Sequence, residues 1–425
     1  MPSNQNVWHF GVLSSTGIGH VNPLIALSQE LMERGHSVTF FEKPKIEARV
    51  RQAQLEFCPI GIGKTYFREA EKRSNITGIC SNISRLRFNL MRVAHDLHIY
   101  LDELPVAIRE RGVDVLIVDE IALTGPTVAE LLSVPYFVIS TSVPHNFNWN
   151  VYPWYSGYRL TKSWITWAED KLLGLSVYRL RGPIARELDA FRRRSGLGPV
   201  RNSFQTFPAL AQITQLPECL DFPQKTLPLN FHYTGPFVSL VARPTIEFPW
   251  ERLDGRPLIY ACLGTTRNAQ PFVLRLISEA CRDIDAQLVI SSGGRFVQEN
   301  LANLPGEPII VNFAPQLELL KRAAIVISHG GSNTVCEALL EGKPILAIPI
   351  AHDQPAVAAR VERLKAGIVL PIMRISQQLI RQSINALLNE SRYRDAAVKL
   401  QGSLRSLHGP QHAANIIEDA LILQL

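Results

Sequence analysis

Apolar, strand-like runs that alternate with helical patterns constrain the fold of this chain more than any other feature. Residues 325–328 and 345–348 are short runs rich in Ile, each followed by a polar loop and then by a helical pattern. Continuous apolar runs of this length are typical of parallel strands that are buried on both faces. The same alternation occurs in residues 7–41, 115–140 and 258–313, and within the first of these ranges residues 23–34 are predicted to form an amphipathic helix. We therefore predict an α/β protein with doubly wound parallel sheets.

Two interruptions divide this alternation. A long insert spans residues 141–208, and the strand pattern restarts only after a segment that contains three prolines. At 425 residues the chain is long enough for two domains, each with its own core. We predict a first domain over residues 1–236, a linker over 237–254 and a second domain over 255–400.

A histidine and an aspartate follow predicted strands of the first domain. His20 lies in S-S-T-G-I-G-H-V-N-P after the first strand, and Asp119 ends the strand of V-D-V-L-I-V-D-E. Both residues are therefore expected at the carboxyl edge of the sheet, where ligands bind in such folds. An imidazole can take a proton from a hydroxyl near neutral pH, and it works better when a carboxylate fixes its tautomer. We predict that His20 is a general base oriented by Asp119, with the adjacent Glu120 as the alternative.

The second half carries polar residues that suit a nucleotide sugar. The small residues that follow Gly331 open a predicted helix, whose free N–H groups and positive dipole end suit a diphosphate. Glu337 lies one helical turn beyond Asn333 on the same face, where a carboxylate can accept hydrogen bonds from ribose. Asp353 and Gln354, in the loop after the next strand, can bind several hydroxyls. This order indicates a nucleotide-sugar site.

Residues 312–360 resemble the donor-binding signature of the family 1 glycosyltransferases, which are UDP-dependent enzymes. The segment contains N-F-A-P-Q-L-E-L-L, then I-V-I-S-H-G-G-S-N-T-V-C-E-A-L, then K-P-I-L-A-I-P-I-A-H-D-Q-P-A-V-A-A-R. The G-H-x-x-P setting of His20 and the position of Asp119 also match the family. The resemblance implies the GT-B fold, in which two Rossmann-like domains face a cleft. It also implies that the last helix, here residues 411–425, crosses back to the first domain.

The resemblance implies a role for each matching residue of the donor site. Phe313 would lie against the uracil, Gln316 would contact nucleoside hydroxyls, and Glu337 would bind the ribose. Asp353 and Gln354 would bind the hydroxyls of the transferred sugar. The diphosphate would be held by His329, Asn333 and Thr334, and the site would also include Gly264, Thr265, Gly331 and Ser332. Plant members of the family have Trp in place of both Phe313 and Ser332, so the identity of the sugar stays open.

The reaction implied by the resemblance is an inverting transfer from a UDP-sugar, in which an α-linked donor yields a β-glycoside. The loops and the helix N-terminus would stabilise the leaving diphosphate, so we expect neither a metal nor another cofactor. The Asp-x-Asp at Asp283 and Asp285 precedes a predicted strand and is therefore expected at the opposite edge of the sheet. The six cysteines are scattered without a C-x-x-C pair, which indicates neither a zinc site nor a disulfide framework.

The acceptor is less constrained by the sequence. Aromatic residues interleaved with Lys and Arg crowd residues 152–178, a pattern that fits an apolar acceptor pocket, a membrane-facing surface or packing between helices. Segments such as A-Q-I-T-Q-L-P-E and D-Q-P-A-V-A-A-R resemble the bacterial zeaxanthin glucosyltransferases, which implies glucose transfer to an apolar, hydroxylated acceptor such as a carotenoid. Soluble phenolic acceptors are the alternative. A nucleotide-sugar epimerase or hydrolase and a non-catalytic UDP-sugar binder are the other classes.

Charge and hydropathy limit the possible partners and the location of the protein. The N-terminus has no apolar signal core, and no run of about 18 apolar residues occurs, so we predict a cytoplasmic protein. The net charge of +6 favours anionic partners and a peripheral contact with an anionic membrane surface. No basic stripe interleaved with aromatics forms a recognisable nucleic-acid-binding module, so we expect no nucleic-acid partner.

Overall fold

The computed structural model describes residues 6–63, 97–144, 182–199, 209–223, 227–239, 243, 245–264, 271–294 and 304–424. Most of the aromatic-rich insert, together with Thr265, lies outside these ranges. Within them, the strands form two separate sheets whose pairings are all parallel. The predicted α/β class with parallel sheets is therefore confirmed.

The first sheet has seven strands in the order β3-β2-β1-β4-β5-β6-β7. These strands are β1 His9–Leu13, β2 Ser37–Glu42, β3 Glu56–Pro59, β4 Val115–Asp119, β5 Tyr136–Ser140, β6 Gln212–Thr214 and β7 Phe231–Tyr233. The helices of this half are α1 Ile18–Glu33, α2 Glu47–Gln52, α3 Gly125–Leu132 and α4 Gly182–Arg194, and residues 97–110 are also helical. The strand order reverses between β1 and β4, which places a crevice at their carboxyl ends.

The second sheet has six strands in the order β10-β9-β8-β11-β12-β13. These strands are β8 Leu258–Cys262, β9 Gln287–Ser291, β10 Ile309–Val311, β11 Ala323–Ser328, β12 Ile345–Ala347 and β13 Gly367–Val369. The helices are α5 Pro271–Cys281, α6 Gln316–Arg322, α7 Ser332–Leu340, α8 Gln354–Arg363, α9 Gln377–Asn389, α10 Ser391–Arg405 and α11 Gly409–Ile422. Here the order reverses between β8 and β11, so the second crevice lies after those strands.

Burial on both faces explains why the strands read as continuous apolar runs. In β4, Val115 and Ile117 pack into a core with α1 and α11, whereas Leu116 and Val118 pack into the core of the opposite face. Successive side chains of a strand point to opposite faces, so a sheet with helices on both sides needs an apolar residue at every position.

The last helix packs against the first sheet rather than the second. Ile417 and Leu421 of α11 share a core cluster with α1, and Glu418 accepts hydrogen bonds from Arg34 and His36 at 2.6 and 2.9 Å. The last helix therefore connects the second sheet back to the first, so its packing resists separation of the two halves.

Two local features differ from the sequence-based expectations, and a third agrees with them. Four short strands (β3, β6, β7 and β13) were not predicted, because each has only three or four residues and lacks a long apolar run. Helix α1 begins at Ile18, although its amphipathic pattern predicted a start at Pro23. The Asp-x-Asp lies in the turn before β9, as predicted, and Asp283 pairs there with Arg381 at 2.8 Å. Among the described residues, no helix combines the length and the apolar character needed to cross a membrane.

Candidate active site

His20 and Asp119 meet at the carboxyl edge of the first sheet. His20 lies in the first turn of α1, directly after β1, and Asp119 is the last residue of the neighbouring strand β4. The Nδ1 atom of His20 lies 3.0 Å from Oδ2 of Asp119. Asp119 is buried, and its other oxygen accepts a hydrogen bond from the backbone N–H of Ile121 at 3.2 Å. The aspartate is therefore held rigidly against the imidazole.

Thr141 is a second partner of the same imidazole nitrogen, which sequence reasoning missed. Its hydroxyl lies 2.7 Å from Nδ1 of His20, because Thr141 directly follows β5 at the same sheet edge. A hydroxyl residue immediately after a buried strand was the only available signal. Since Nδ1 makes both contacts, Nε2 is the nitrogen that can accept a proton from a bound hydroxyl.

The electrostatic surroundings of His20 favour its protonated form. Burial alone lowers the pKa of His20, but the charge of Asp119 and the hydrogen bond to it outweigh that effect, with smaller contributions from Asp353 and Glu120. The net result is a pKa raised above the ordinary value of 6.5. An imidazolium formed during proton transfer is therefore stabilised, as a general base requires.

The predicted diphosphate-binding site lies after β11 of the second sheet. Helix α7 begins at Ser332, and its first turn includes the buried residue Thr334. The imidazole of His329 fits between two glycines, because a Cβ atom on Gly264 or Gly331 would lie 2.7 or 2.6 Å from Nε2 of His329. Burial lowers the pKa of His329, although the backbone carbonyl of Cys262 and the charge of Asp353 partly oppose this. The ring is therefore neutral at physiological pH and has a single N–H, which it can donate either to that carbonyl or to an anion.

Asn333 joins the two halves of the molecule. Its Nδ2 donates to the carbonyl oxygen of Gly19 in α1 at 2.7 Å, and its Oδ1 accepts from Nε2 of Gln215 at 2.8 Å. Pro23 explains the first contact, because proline has no N–H to donate to the carbonyl four residues earlier. The carbonyl of Gly19 thus remains available to Asn333. Gln215 also donates to the backbone carbonyl of Thr141, which connects the α7 loop to the surroundings of His20.

Glu337 lies at the centre of a buried hydrogen-bond network. Nε2 of Gln316 donates to Oε2 of Glu337 at 2.6 Å, and Oε1 of Gln316 accepts from the hydroxyl of Tyr260 at 3.3 Å. Arg243, in the predicted linker, forms an ion pair with Oε1 of Glu337. The structure thus brings together the two residues that were predicted to bind the nucleoside hydroxyls, and it adds Arg243 and Tyr260.

Phe313 provides an exposed aromatic surface close to this network. Its side chain is 46 % exposed, and a Cβ atom on Gly294 would lie 2.7 Å from the ring. Gly294 has a φ of +72°, so both its backbone conformation and the nearby ring favour glycine. The exposed ring is free to stack on a base.

The loop after β12 approaches the first half of the molecule. The hydroxyl of Ser142 donates to Oδ2 of Asp353, which places Asp353 across the cleft from Thr141 and His20 and close to them. Gln354 is buried, and its side-chain oxygen accepts from the backbone N–H groups of Ile350 and Ala351 at 2.9 and 2.8 Å. Gln354 therefore stabilises the loop that carries Asp353, and its binding of the sugar stays a prediction.

Replacement of Glu337 by alanine is expected to weaken UDP binding by about 1–3 kcal/mol, because ribose would lose a charged hydrogen-bond acceptor. Calorimetric titration with UDP and with UDP-glucose measures this loss. Asp353→Ala serves as the contrast, because it should weaken binding of UDP-glucose while leaving UDP affinity nearly unchanged. Equal losses for both ligands in the Asp353 variant would contradict its predicted contact with the sugar.

Comparison with known proteins identifies relatives over nearly the whole chain. Residues 15–145 match the glycosyltransferase family 28 N-terminal domain, and residues 275–420 match the C-terminal domain of the erythromycin biosynthesis protein CIII-like family. The chain is 31 % identical to a zeaxanthin glucosyltransferase of Pantoea ananas, over 97 % of this chain and 96 % of the relative. It is 28 % identical to the NDP-glycosyltransferase YjiC of Bacillus subtilis (strain 168), over 97 % of both chains.

A solved structure supports the fold assignment. The glycotransferase of kitacinnamycin superposes with a TM-score of 0.74 at 23 % identity, and the match covers 98 % of this chain and 99 % of the other. At this identity the likeness concerns the fold alone. The two parallel sheets and this likeness confirm the predicted GT-B fold.

Proposed function

Because the chain belongs to the family 1 glycosyltransferases, we propose that it transfers glucose from UDP-glucose to a hydroxyl of an apolar small molecule, with inversion at the anomeric carbon. Glycosyl transfer to small-molecule acceptors is the activity of the relatives. The choice of UDP, of glucose and of the acceptor class is our proposal. The observation that supports it most is the pairing of His20 with Asp119. This pair lies close to the start of α7, because Asn333 of α7 bonds to the residue before His20 in α1.

The proposed reaction starts with removal of a proton by His20. Nε2 of His20 takes the proton of the acceptor hydroxyl while Asp119 stabilises the resulting imidazolium. The acceptor oxygen forms a bond to the anomeric carbon as the bond from that carbon to the β-phosphate oxygen breaks. UDP leaves with the electron pair of the broken bond. Attack from the face opposite UDP inverts the configuration and turns an α-linked donor into a β-glycoside.

The second half of the molecule is proposed to bind UDP-glucose. The N–H groups at the start of α7 and the neutral imidazole of His329 would stabilise the charge on the diphosphate. Glu337 and Gln316 would bind the ribose, and Phe313 would stack on the base. Asp353 would accept hydrogen bonds from the glucose hydroxyls, and its contact with Ser142 supports a sugar position between the two halves.

The acceptor is proposed to be a hydroxylated carotenoid or an alcohol of similar size and polarity. The name of the Pantoea ananas relative and the aromatic-rich insert support this choice. Such an acceptor dissolves in lipid, so the enzyme must meet it at a membrane surface. The net charge of +6 supports attraction to anionic lipid, where each nearby Lys or Arg contributes about 1 kcal/mol.

The decisive experiment offers UDP-glucose together with either zeaxanthin or a panel of soluble phenols and detects glycosides by mass spectrometry. We expect a zeaxanthin glucoside whose rate of formation falls by about two to four orders of magnitude when His20→Ala replaces the wild-type enzyme. Glycosides of phenols alone would instead indicate a general small-molecule glycosyltransferase. Free glucose or an epimer formed without any acceptor would indicate a hydrolase or an epimerase. Tight UDP binding without turnover of any acceptor would indicate a non-catalytic binder.

Membrane contact is tested separately by flotation with liposomes. The protein is expected to float with vesicles that contain anionic lipid at low salt and to dissociate at high salt, because the attraction is electrostatic and screened. Neutral vesicles provide the control. Absence of flotation with anionic vesicles at low salt would contradict the peripheral contact without affecting the proposed chemistry.

A further inference from the structure

The carboxylate proposed to bind the ribose already has two partners from this chain. Arg243 pairs with Oε1 of Glu337, and Gln316 donates to Oε2 at 2.6 Å. The side chain of Glu337 is only 2 % exposed, whereas that of Arg243 is 22 % exposed. An ionised carboxylate has about four lone-pair positions, so each oxygen of Glu337 can still accept one hydroxyl.

Neighbouring charges favour the ion pair between Arg243 and Glu337. Arg49 of α2 approaches from the first half of the molecule, where its Nε donates to Oδ1 of Asn22 at 2.7 Å. Burial lowers the pKa of Arg49, and the like charge of Arg243 lowers it further, which indicates that the two guanidinium groups are close. Movement of Arg243 away from Glu337 toward α2 would bring the two cations together and leave a buried carboxylate unpaired.

The partners of Glu337 determine how much binding free energy is lost when a ribose hydroxyl is absent. A protein site rejects a substrate analogue that lacks a hydroxyl mainly because a buried polar group of the protein is then left unpaired. In this site the loss of the ribose 2′-hydroxyl would leave both oxygens of Glu337 with a partner. The loss of binding free energy would then be that of one ordinary hydrogen bond.

We propose that Arg243 is a specificity-determining residue that makes the nucleotide site tolerant of 2′-deoxyribose in place of ribose. This inference rests on the proposed function, because it assumes that Glu337 binds the ribose of a nucleotide sugar. Arg243 keeps one oxygen of Glu337 satisfied whether or not the 2′-hydroxyl is present. Without Arg243, that oxygen would depend on the 2′-hydroxyl alone.

Calorimetric titration with UDP, dUDP and dTDP tests the proposal without an acceptor. UDP and dUDP differ only in the 2′-hydroxyl, and dUDP and dTDP differ only in the methyl group of the base. At about pH 8, where carboxylates are ionised, the wild-type Kd for dUDP should exceed that for UDP by roughly fivefold. In Arg243→Met the ratio of the two Kd values should rise by a further factor of about ten.

Two control variants separate the role of Arg243 from general effects. Arg243→Lys retains the positive charge and should keep a ratio near that of the wild type. Arg252→Met makes the same substitution as Arg243→Met at an exposed arginine farther along the predicted linker, and it should leave all three affinities unchanged. Circular dichroism melting curves of the variants verify that each is folded.

Several outcomes would overturn the inference. An unchanged dUDP to UDP ratio in Arg243→Met would show that Arg243 does not share Glu337 with the nucleotide. Tighter binding of UDP and dUDP by the same factor in that variant would show that Arg243 instead blocks the ribose position. Discrimination of more than about 100-fold by the wild type would exclude tolerance of deoxyribose. Absence of binding by all three nucleotides would instead refute the proposed function, and the inference with it.

Discussion

The variant His20→Ala is expected to show a kcat that is about two to four orders of magnitude below that of the wild type, since it lacks the group that removes the acceptor proton. Affinity for UDP should stay near the wild-type value, because His20 lies at the first sheet and the nucleotide is proposed to bind at the second. Steady-state kinetics of glycoside formation measure kcat, and calorimetric titration measures the affinity for UDP.

The pH dependence of kcat/KM tests the same role of His20 as the base. Only the neutral imidazole accepts a proton, so kcat/KM should rise with pH through the raised pKa of His20. Asp119→Asn removes the charge that raises this pKa, so the rising limb should shift to lower pH while the plateau falls. If Glu120→Gln reduces the rate more than Asp119→Asn, Glu120 is the orienting carboxylate. Near-normal turnover by His20→Ala on a hydroxyl acceptor would exclude His20 as the base.

Replacement of Arg360 by methionine is expected to cost about 3–5 kcal/mol of the free energy of unfolding, because it leaves a buried aspartate without its charge partner. Nε and a terminal nitrogen of Arg360, in α8, donate to Oδ1 of Asp221 at 3.0 and 2.5 Å. The other oxygen of Asp221 accepts from the hydroxyl of Tyr233 at 2.6 Å. The two charged side chains are only 3 % and 4 % exposed, so water cannot replace the lost partner.

Urea unfolding followed by circular dichroism measures this loss. Arg256→Met is the matched control, because its ion pair with Asp254 is solvent-exposed and should contribute little to the free energy of unfolding. The double variant Arg360→Met with Asp221→Leu should recover much of the stability, because it removes both buried charges. A loss below about 1 kcal/mol in the single variant would show that the pair does not hold the two halves together.

Much of the fold and part of the candidate site could be predicted from the sequence because both depend on local patterns. Strands such as β5 and β11 are buried on both faces, and this produces apolar runs that can be identified without any structure. Parallel strands also end at a common edge. The positions of His20 and Asp119 after neighbouring strands were therefore enough to predict that the two side chains lie close together.

Short elements and helix ends were less predictable. Strands β6 and β7 have three residues each, too few to produce a recognisable period, and they are stabilised by pairing with neighbours that are distant in sequence. The start of α1 was wrong because Pro23 is typical of a first helical turn. The carbonyl that Pro23 leaves without an intrahelical partner is instead satisfied by Asn333, which is more than 300 residues away.

The sequence by itself determined the class of fold, the strand-end loops and the residue types available for chemistry. Only the tertiary structure decided which polar groups satisfy one another between the two halves, as in the contacts of Gln215 with Asn333, Ser142 with Asp353 and Arg243 with Glu337. The physical reason is that strand and helix patterns reflect burial within one segment. Hydrogen bonds and ion pairs between distant segments depend on how the completed domains pack, because each buried polar group must find its partner there.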